Sequence, residues 1–188
     1  MRFTFSYHAH NLPNRIVKDF LEQHDIPHQC AKEGEIEILS AVSSENLSGL
    51  QDFLTRYGLQ VIDDEKTIFV QRIKNILVEI AYSETMLATT LSNYLCDQLG
   101  YSYAHLAATF EKLTLCSIEK YLILLKIERA KRLIMEDQLP LKEISSLLHY
   151  SSSGHLSKQF RKITGVSIST FRKIIENKKE RMANPFRT

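Results

Sequence analysis

Apolar and polar residues alternate at the start of the chain. Phe3, Phe5 and Tyr7 share one side, with Thr4 and Ser6 opposite, which predicts a strand over 3–7. Asn11-Leu12-Pro13-Asn14 reads as a turn. Ile16, Val17, Phe20 and Leu21 then recur at helical spacing. Short strands are predicted over 26–30 and 35–40, around Gly34. Ser44 is placed as the N-cap of a helix whose stripe is Leu47, Leu50, Phe53, Leu54 and Tyr57, and Gly58 ends it. Leu59-Gln60-Val61-Ile62 reads as a last strand. The order β-α-β-β-α-β predicts a ferredoxin-like layer over residues 1–64.

Asp63-Asp64-Glu65 opens the next helix, where negative charge suits the helix dipole. Ile68, Phe69, Ile73, Ile76, Leu77, Ile80 and Ala81 form its apolar stripe. Two readings stand for this connecting segment, 65–83. It packs on the next domain, or it pairs with a second copy of itself.

From residue 84 onward the pattern repeats. Leu99, Tyr101 and Ser102 return as Leu148, Tyr150 and Ser151, 49 positions on. His105-Leu106, Phe110, Lys112, Thr114 and Ser117-Ile118 return 50 positions on, as His155-Leu156, Phe160, Lys162, Thr164 and Ser167-Ile168. One residue is therefore inserted in the second copy, between Ser151 and His155. Each copy reads as a short helix ending at Leu99 or Leu148, then a turn, then an N-capping serine (Ser102, Ser151) and a second helix. Leu106 with Phe110, and Leu156 with Phe160, lie four apart on a core face. Helix, turn, helix is a unit whose second helix enters a major groove of DNA. A helix from Ser117 to Asp137 joins the copies and Pro140 ends it. Leu122, Leu125, Ile127, Ala130, Leu133 and Ile134 are placed inward, and Lys126, Arg129, Lys131 and Arg132 mostly outward. At 1.5 Å per residue this rod spans roughly 27 Å, close to the ~34 Å of one duplex turn.

Charge supports the division. The whole chain carries +2 over 188 residues. Residues 1–64 hold 5 Lys/Arg against 10 Asp/Glu, net −5, and residues 65–188 hold 19 against 12, net +7. An acidic front and a basic back place the nucleic-acid partner at the back. The excess gathers late: Lys158, Arg161, Lys162, Arg172, Lys173, Lys178, Lys179, Arg181 and Arg187 face only Glu176 and Glu180. The tail 176–188 is read as mostly solvated. A hydrophobic content of 44% excludes a disordered chain, and no apolar run reaches the ~18 residues of a membrane span. The start lacks the continuous apolar stretch of a signal peptide. Cys30, Cys96 and Cys116 are far apart, without a CxxC. The expected location is the cytoplasm, with no cofactor and no membrane partner. No Gly-rich phosphate loop, GxSxG or HExxH occurs, so no enzyme is expected.

The layout of 1–64 resembles the small heavy-metal-associated domains, but the loop after the first strand, Tyr7 to Pro13, carries no cysteine. His8 and His10 are the remaining metal candidates there, since imidazole suits Zn, Cu or Ni. Exposed loop histidines are the simpler reading. Residues 84–175 resemble the AraC/XylS family of bacterial transcription regulators. The residues that carry it are Leu95, Leu99 to Ser102, His105-Leu106, Phe110, Tyr121, Lys126 to Leu133, Glu143-Ile144, Tyr150 to Ser152, His155-Leu156, Phe160 to Lys162, Gly165 to Ser167 and Phe171-Arg172. The resemblance implies transcription factor activity and two helix-turn-helix units joined by a helix. The chain departs from the family at Cys96 and Ser145 (Ala in the family), His149 and Leu115 (Gly) and Ile168 (Pro).

By position in the family, the first unit would face DNA with Tyr103, Ala104, Ala107, Ala108 and Lys112. The second would use Ser152, Ser153, Gly154, His155, Ser157 and Lys158, with Arg161, Lys162 and Arg172 on phosphates. Three alanines cannot hydrogen-bond and reach only thymine methyls. His105 is read as packing or capping. His155 is placed on the reading face, with a structural role as the alternative. The expectation is an α+β chain: a ferredoxin-like domain, then an all-α double helix-turn-helix domain that binds double-stranded DNA as a sequence-specific regulator. RNA polymerase is a further candidate partner, as is a second copy of the chain bound through the front domain or the connecting helix. The competing readings are a metal- or ligand-sensing module and a protein-interaction adaptor.

Overall fold

The computed structural model describes residues 12–32, 35–62, 64–136 and 139–183. The chain divides into two units, Met1–Asn75 and Ile76–Thr188. Each is treated by itself.

The front unit holds α1 (Leu12–Gln23), β1 (His28–Lys32), β2 (Glu35–Ile38), α2 (Ser44–Arg56) and the start of α3 (Glu65–Tyr82). Helix α1 begins inside the predicted turn. Pro13 falls in its first turn, where a missing N–H costs nothing. Strands β1 and β2 pair antiparallel, His28 opposite Ile38 and Cys30 opposite Ile36. Phe20, Leu21, Ile26, Leu50 and Leu54 form the core, with Val17, Ile36, Ile38, Phe53 and Leu59 packed against it. The Phe20 ring lies 4.0 Å from the His24 ring and 4.8 Å from Phe53.

A ferredoxin-like βαββαβ layer is not what these residues make. Among the described residues there is one two-stranded sheet. The predicted strand over 3–7 lies outside the described residues, as do His8 and His10. The predicted strand over 59–62 is overturned. Gly58 takes φ 68°, its N–H reaches the Thr55 carbonyl at 3.0 Å, and the Leu59 N–H reaches the Leu54 carbonyl at 2.9 Å. That is a Schellman closure of α2. Leu59 is thus tied back to the helix with its side chain on the core, while Val61 is 62% exposed. Asp64 already caps α3, accepting from the Thr67 N–H at 2.7 Å, and Thr67 holds the Asp64 carboxyl below its usual range. The cap of α2 is Ser43 rather than Ser44: its Oγ accepts from Asn46 N–H at 3.1 Å.

The back unit is helical among the described residues: the end of α3, then α4 (Leu91–Leu99), α5 (Tyr103–Thr114), α6 (Ile118–Glu136), α7 (Leu141–Leu147), α8 (Ser153–Thr164) and α9 (Ile168–Ala183). The two copies are built alike down to single atoms. Helix α5 has Leu106 and Phe110 fully buried, and α8 has Leu156 and Phe160. Phe110 meets Tyr121 edge-on at 5.4 Å, and Phe160 meets Phe171 at 5.5 Å. Thr114 Oγ donates to the Phe110 carbonyl at 2.7 Å, and Thr164 Oγ to the Phe160 carbonyl at 2.8 Å. Ser117 and Ser167 cap α6 and α9, accepting from Lys120 N–H and Thr170 N–H.

The N-cap of α8 is Ser152, not Ser151: its Oγ accepts from His155 N–H at 3.1 Å, as Ser102 accepts from His105 N–H. The caps thus keep the 50-residue spacing, and the extra residue sits in the turn. Ser151 instead hydrogen-bonds the His155 ring at 3.2 Å. The turn survives the loss of its glycine, with His149 at φ 56° where Gly100 has φ 73°.

Arg129 corrects the outward placement on α6. It is buried, and its Nη1 donates to the carbonyls of Ala81 at 2.9 Å and Ser83 at 3.0 Å. The reason is local: α3 ends there with carbonyls that its own helix cannot satisfy. Lys126 is half-buried, 5.6 Å over the Tyr150 ring, and burial lowers its pKa.

Leu115 closes α5 in the left-handed region, φ 55°, and is 89% exposed, where α8 has Gly165 at φ 79°. An L-residue there costs about 1–2 kcal/mol. Leu115→Gly is therefore expected to raise unfolding stability by about 1 kcal/mol in urea titrations. A loss would show that the leucine makes a contact that outweighs its strain.

Candidate nucleic-acid interface

Ser102 starts α5, and its first turns carry the predicted reading face. Ala104 and Ala108 are exposed and Ala107 half-buried, at i, i+3 and i+4 on one side. Lys112 continues that side one turn further and is exposed. Tyr103, expected to face DNA, is half-buried. Its hydroxyl donates to the Glu119 carboxylate. Burial and that bond push the tyrosine pKa up, and the same bond lowers the Glu119 pKa. The His105 ring stacks on Tyr101 at 5.4 Å, in keeping with a packing role. His155 matches it edge-on to Tyr150 at 5.3 Å.

On α8, Ser153 is half-buried and Gly154 exposed. Ser157 Oγ donates to the Ser153 carbonyl at 2.8 Å, back within its own helix. Lys158, Arg161 and Lys162 are exposed. With Ser157 and Arg172 they line an open groove of about 830 Å³ between α8 and the start of α9. Predicted residues from two elements are thus brought together. Arg172 also turns inward, its Nη2 donating to the Leu139 carbonyl at 2.5 Å, which ties α9 to the segment before α7.

Sequence reasoning passed over Ser167 and Ser169, which line the same groove. The signal was available. Ser167 caps α9, and N–H groups at a helix start favour anions. It also passed over Glu119, the partner of Tyr103. Lys179, assigned to the tail, lies on α9 and donates to the Met135 carbonyl at 2.7 Å near the end of α6.

The two units differ in charge. Residues 91–117 hold Lys112 against Asp97 and Glu111, net −1. The equivalent residues 141–167 hold Lys142, Lys158, Arg161 and Lys162 against Glu143, net +3. Attraction to phosphate is concentrated on the second.

In the front unit, a groove of about 560 Å³ is lined by apolar side chains such as Val17, Leu21 and Ile36, with Gln71, Arg72 and Asn75 among its polar groups. Arg72 pairs with Glu35 at 2.6 Å. Among the described residues no three His, Cys, Asp or Glu side chains gather as a metal site, and no helix is long and apolar enough to cross a membrane.

Two helix-turn-helix units on one connecting helix define a class of fold, the double helix-turn-helix domain. Residues 95–174 match the family model described as "Helix-turn-helix domain". The Msm operon regulatory protein of Streptococcus mutans serotype c is 34% identical over 85 residues, 45% of this chain and 31% of that protein. The probable transcriptional regulator LumQ of Photobacterium leiognathi is 26% identical over 125 residues, 66% of this chain and 49% of that protein. The chain thus spans between about three tenths and a half of the length of these curated relatives. Among solved structures, the C-terminal domain of AraT, a response regulator from Geobacillus stearothermophilus, shares the fold. Its TM-score is 0.52 at 20% identity, over 59% of this chain and 88% of that one.

Proposed function

We propose that this chain is a sequence-specific, cytoplasmic transcriptional regulator that sets α5 and α8 into successive major grooves of double-stranded DNA. The observation that carries the reading is the atom-level repetition of two capped, phenylalanine-anchored helix-turn-helix units on α6, one of them strongly basic. The helix α6 has 19 residues, about 28 Å at 1.5 Å each, a span suited to adjacent grooves on one face of a duplex. In this reading Lys158 contacts base edges and Arg161 and Lys162 contact phosphates, and the exposure of all three supports it. RNA polymerase, and a second copy of the chain, belong to the reading as further partners.

Footprinting on DNA upstream of the chain's own coding region tests it, with protection over two adjacent major grooves expected. Lys158→Ala is expected to weaken binding to the protected sequence about tenfold, within the range of one good base contact. Lys178→Ala is expected to change it less than twofold. Equal losses from both would dissolve the distinction between reading helix and C-terminal helix. Equal binding of specific and random duplexes, with one salt dependence, would favour the adaptor reading.

A second reading gives the front unit a ligand. The groove beside Arg72 and Asn75 favours it, having the size and the mixed lining of a small-molecule site.

A further inference from the structure

We propose that α5 chooses its half-site through thymine 5-methyl groups, with Ala104, Ala107 and Ala108 as the specificity-determining residues. This rests on the proposed function and sharpens it. At the start of α5, two of the side-chain groups able to hydrogen-bond a base edge already have partners within the chain, and a third is packed on a neighbouring ring. Ser102 Oγ caps His105 N–H, the Tyr103 hydroxyl donates to Glu119, and the His105 ring stacks on Tyr101. What the face offers is a strip of methyl groups on consecutive turns, with Ala104 and Ala108 exposed and Ala107 half-buried. The unit carries net −1, so phosphate attraction does not hold it in place by itself.

A short apolar side chain suits one feature of the major groove. Thymine alone presents a methyl group there, and cytosine, adenine and guanine present only donors and acceptors. Alanine also lets the helix backbone come closer to the base edges than a long side chain would. The second unit reads otherwise, through Lys158 and the polar start of α8. The two half-sites are therefore expected to differ in kind. The one under α5 is rich in thymine and indifferent to salt. The one under α8 is read by charge and hydrogen bonds.

The test uses the full chain and a random duplex pool of about 25 base pairs, enriched by rounds of binding. Each thymine of the enriched sequence is then replaced by deoxyuridine, which removes the methyl group and nothing else. Affinity is expected to fall about fourfold for each contacted methyl, the worth of one buried methylene. The falls are expected in one half-site only, the one not weakened by Lys158→Ala. In Ala104→Ser and Ala108→Ser chains, which keep helical side-chain size, the penalty for uracil is expected to shrink toward none at one position each. An enriched sequence indifferent to uracil throughout, or a uracil penalty unchanged by both serine variants, overturns this inference and leaves the proposed function standing. A pool that enriches no sequence overturns both.

Discussion

Phe160→Ala will lower unfolding stability by about 3–5 kcal/mol, the range for a fully buried phenylalanine cut to alanine. Phe160 has 0% exposure and sits in the cluster of Ile127, Ala130, Ile144, Leu148, Leu156 and Ile168, edge-on to Phe171. It is the point where α6, α8 and α9 meet. The walls around it come from α6, α7, α8 and α9, so filling the space would need several close-packed helices to shift. Since a domain of this size holds only about 5–15 kcal/mol in all, the second unit will lose its fold first. Urea titration followed by circular dichroism measures the change. A loss below about 1.5 kcal/mol would mean that the core there is far more plastic than its packing shows.

Arg129→Leu will cost about 2–4 kcal/mol, and lysine at that position will not restore it. The guanidinium fork donates from one nitrogen to two carbonyls, Ala81 and Ser83, and lies over the Tyr82 ring at 5.6 Å. A buried ion pair can often be exchanged for apolar groups at little cost. Arg129 differs because its partners are backbone carbonyls, which stay behind when the side chain is replaced, the Ala81 carbonyl buried and the Ser83 carbonyl half-buried. Lysine brings one compact ammonium with no fork. Equal stability of the leucine and wild-type chains in urea would show that water takes over those carbonyls.

Legibility in the sequence differs between the two halves for a physical reason. The back half is a duplication, so each of its signals occurs twice. Leu106 and Phe110 are echoed by Leu156 and Phe160, and all four are fully buried. The hairpin and both helices of the front unit are also visible in its pattern. The overall layer there is not, because a four-residue apolar alternation such as Leu59 to Ile62 suits a strand and a helix exit equally. Gly58 decides the matter by taking φ 68°, which directs the next N–H back to Leu54. Arg129 escapes the pattern because period marks a face as inward or outward for apolar residues, while a cation follows the carbonyls it can reach. At the candidate interface the reading face is legible as a set of positions. Which of its polar groups are already engaged is not: the link from Tyr103 to Glu119 spans 16 residues and two helices.

A repelling field on one reading unit and an attracting one on the other sets an order of events. On the proposed function, long-range steering by phosphate acts more strongly on the second unit than on the first, so first encounters with a duplex are expected to begin there and to slow as salt rises. The first unit is then expected to arrive afterwards, delivered by the connecting helix rather than by its own charge. Its local concentration is fixed by that tether and not by the concentration of protein in the cell. Arrival rates then belong to one half of the repeat, and residence time to both.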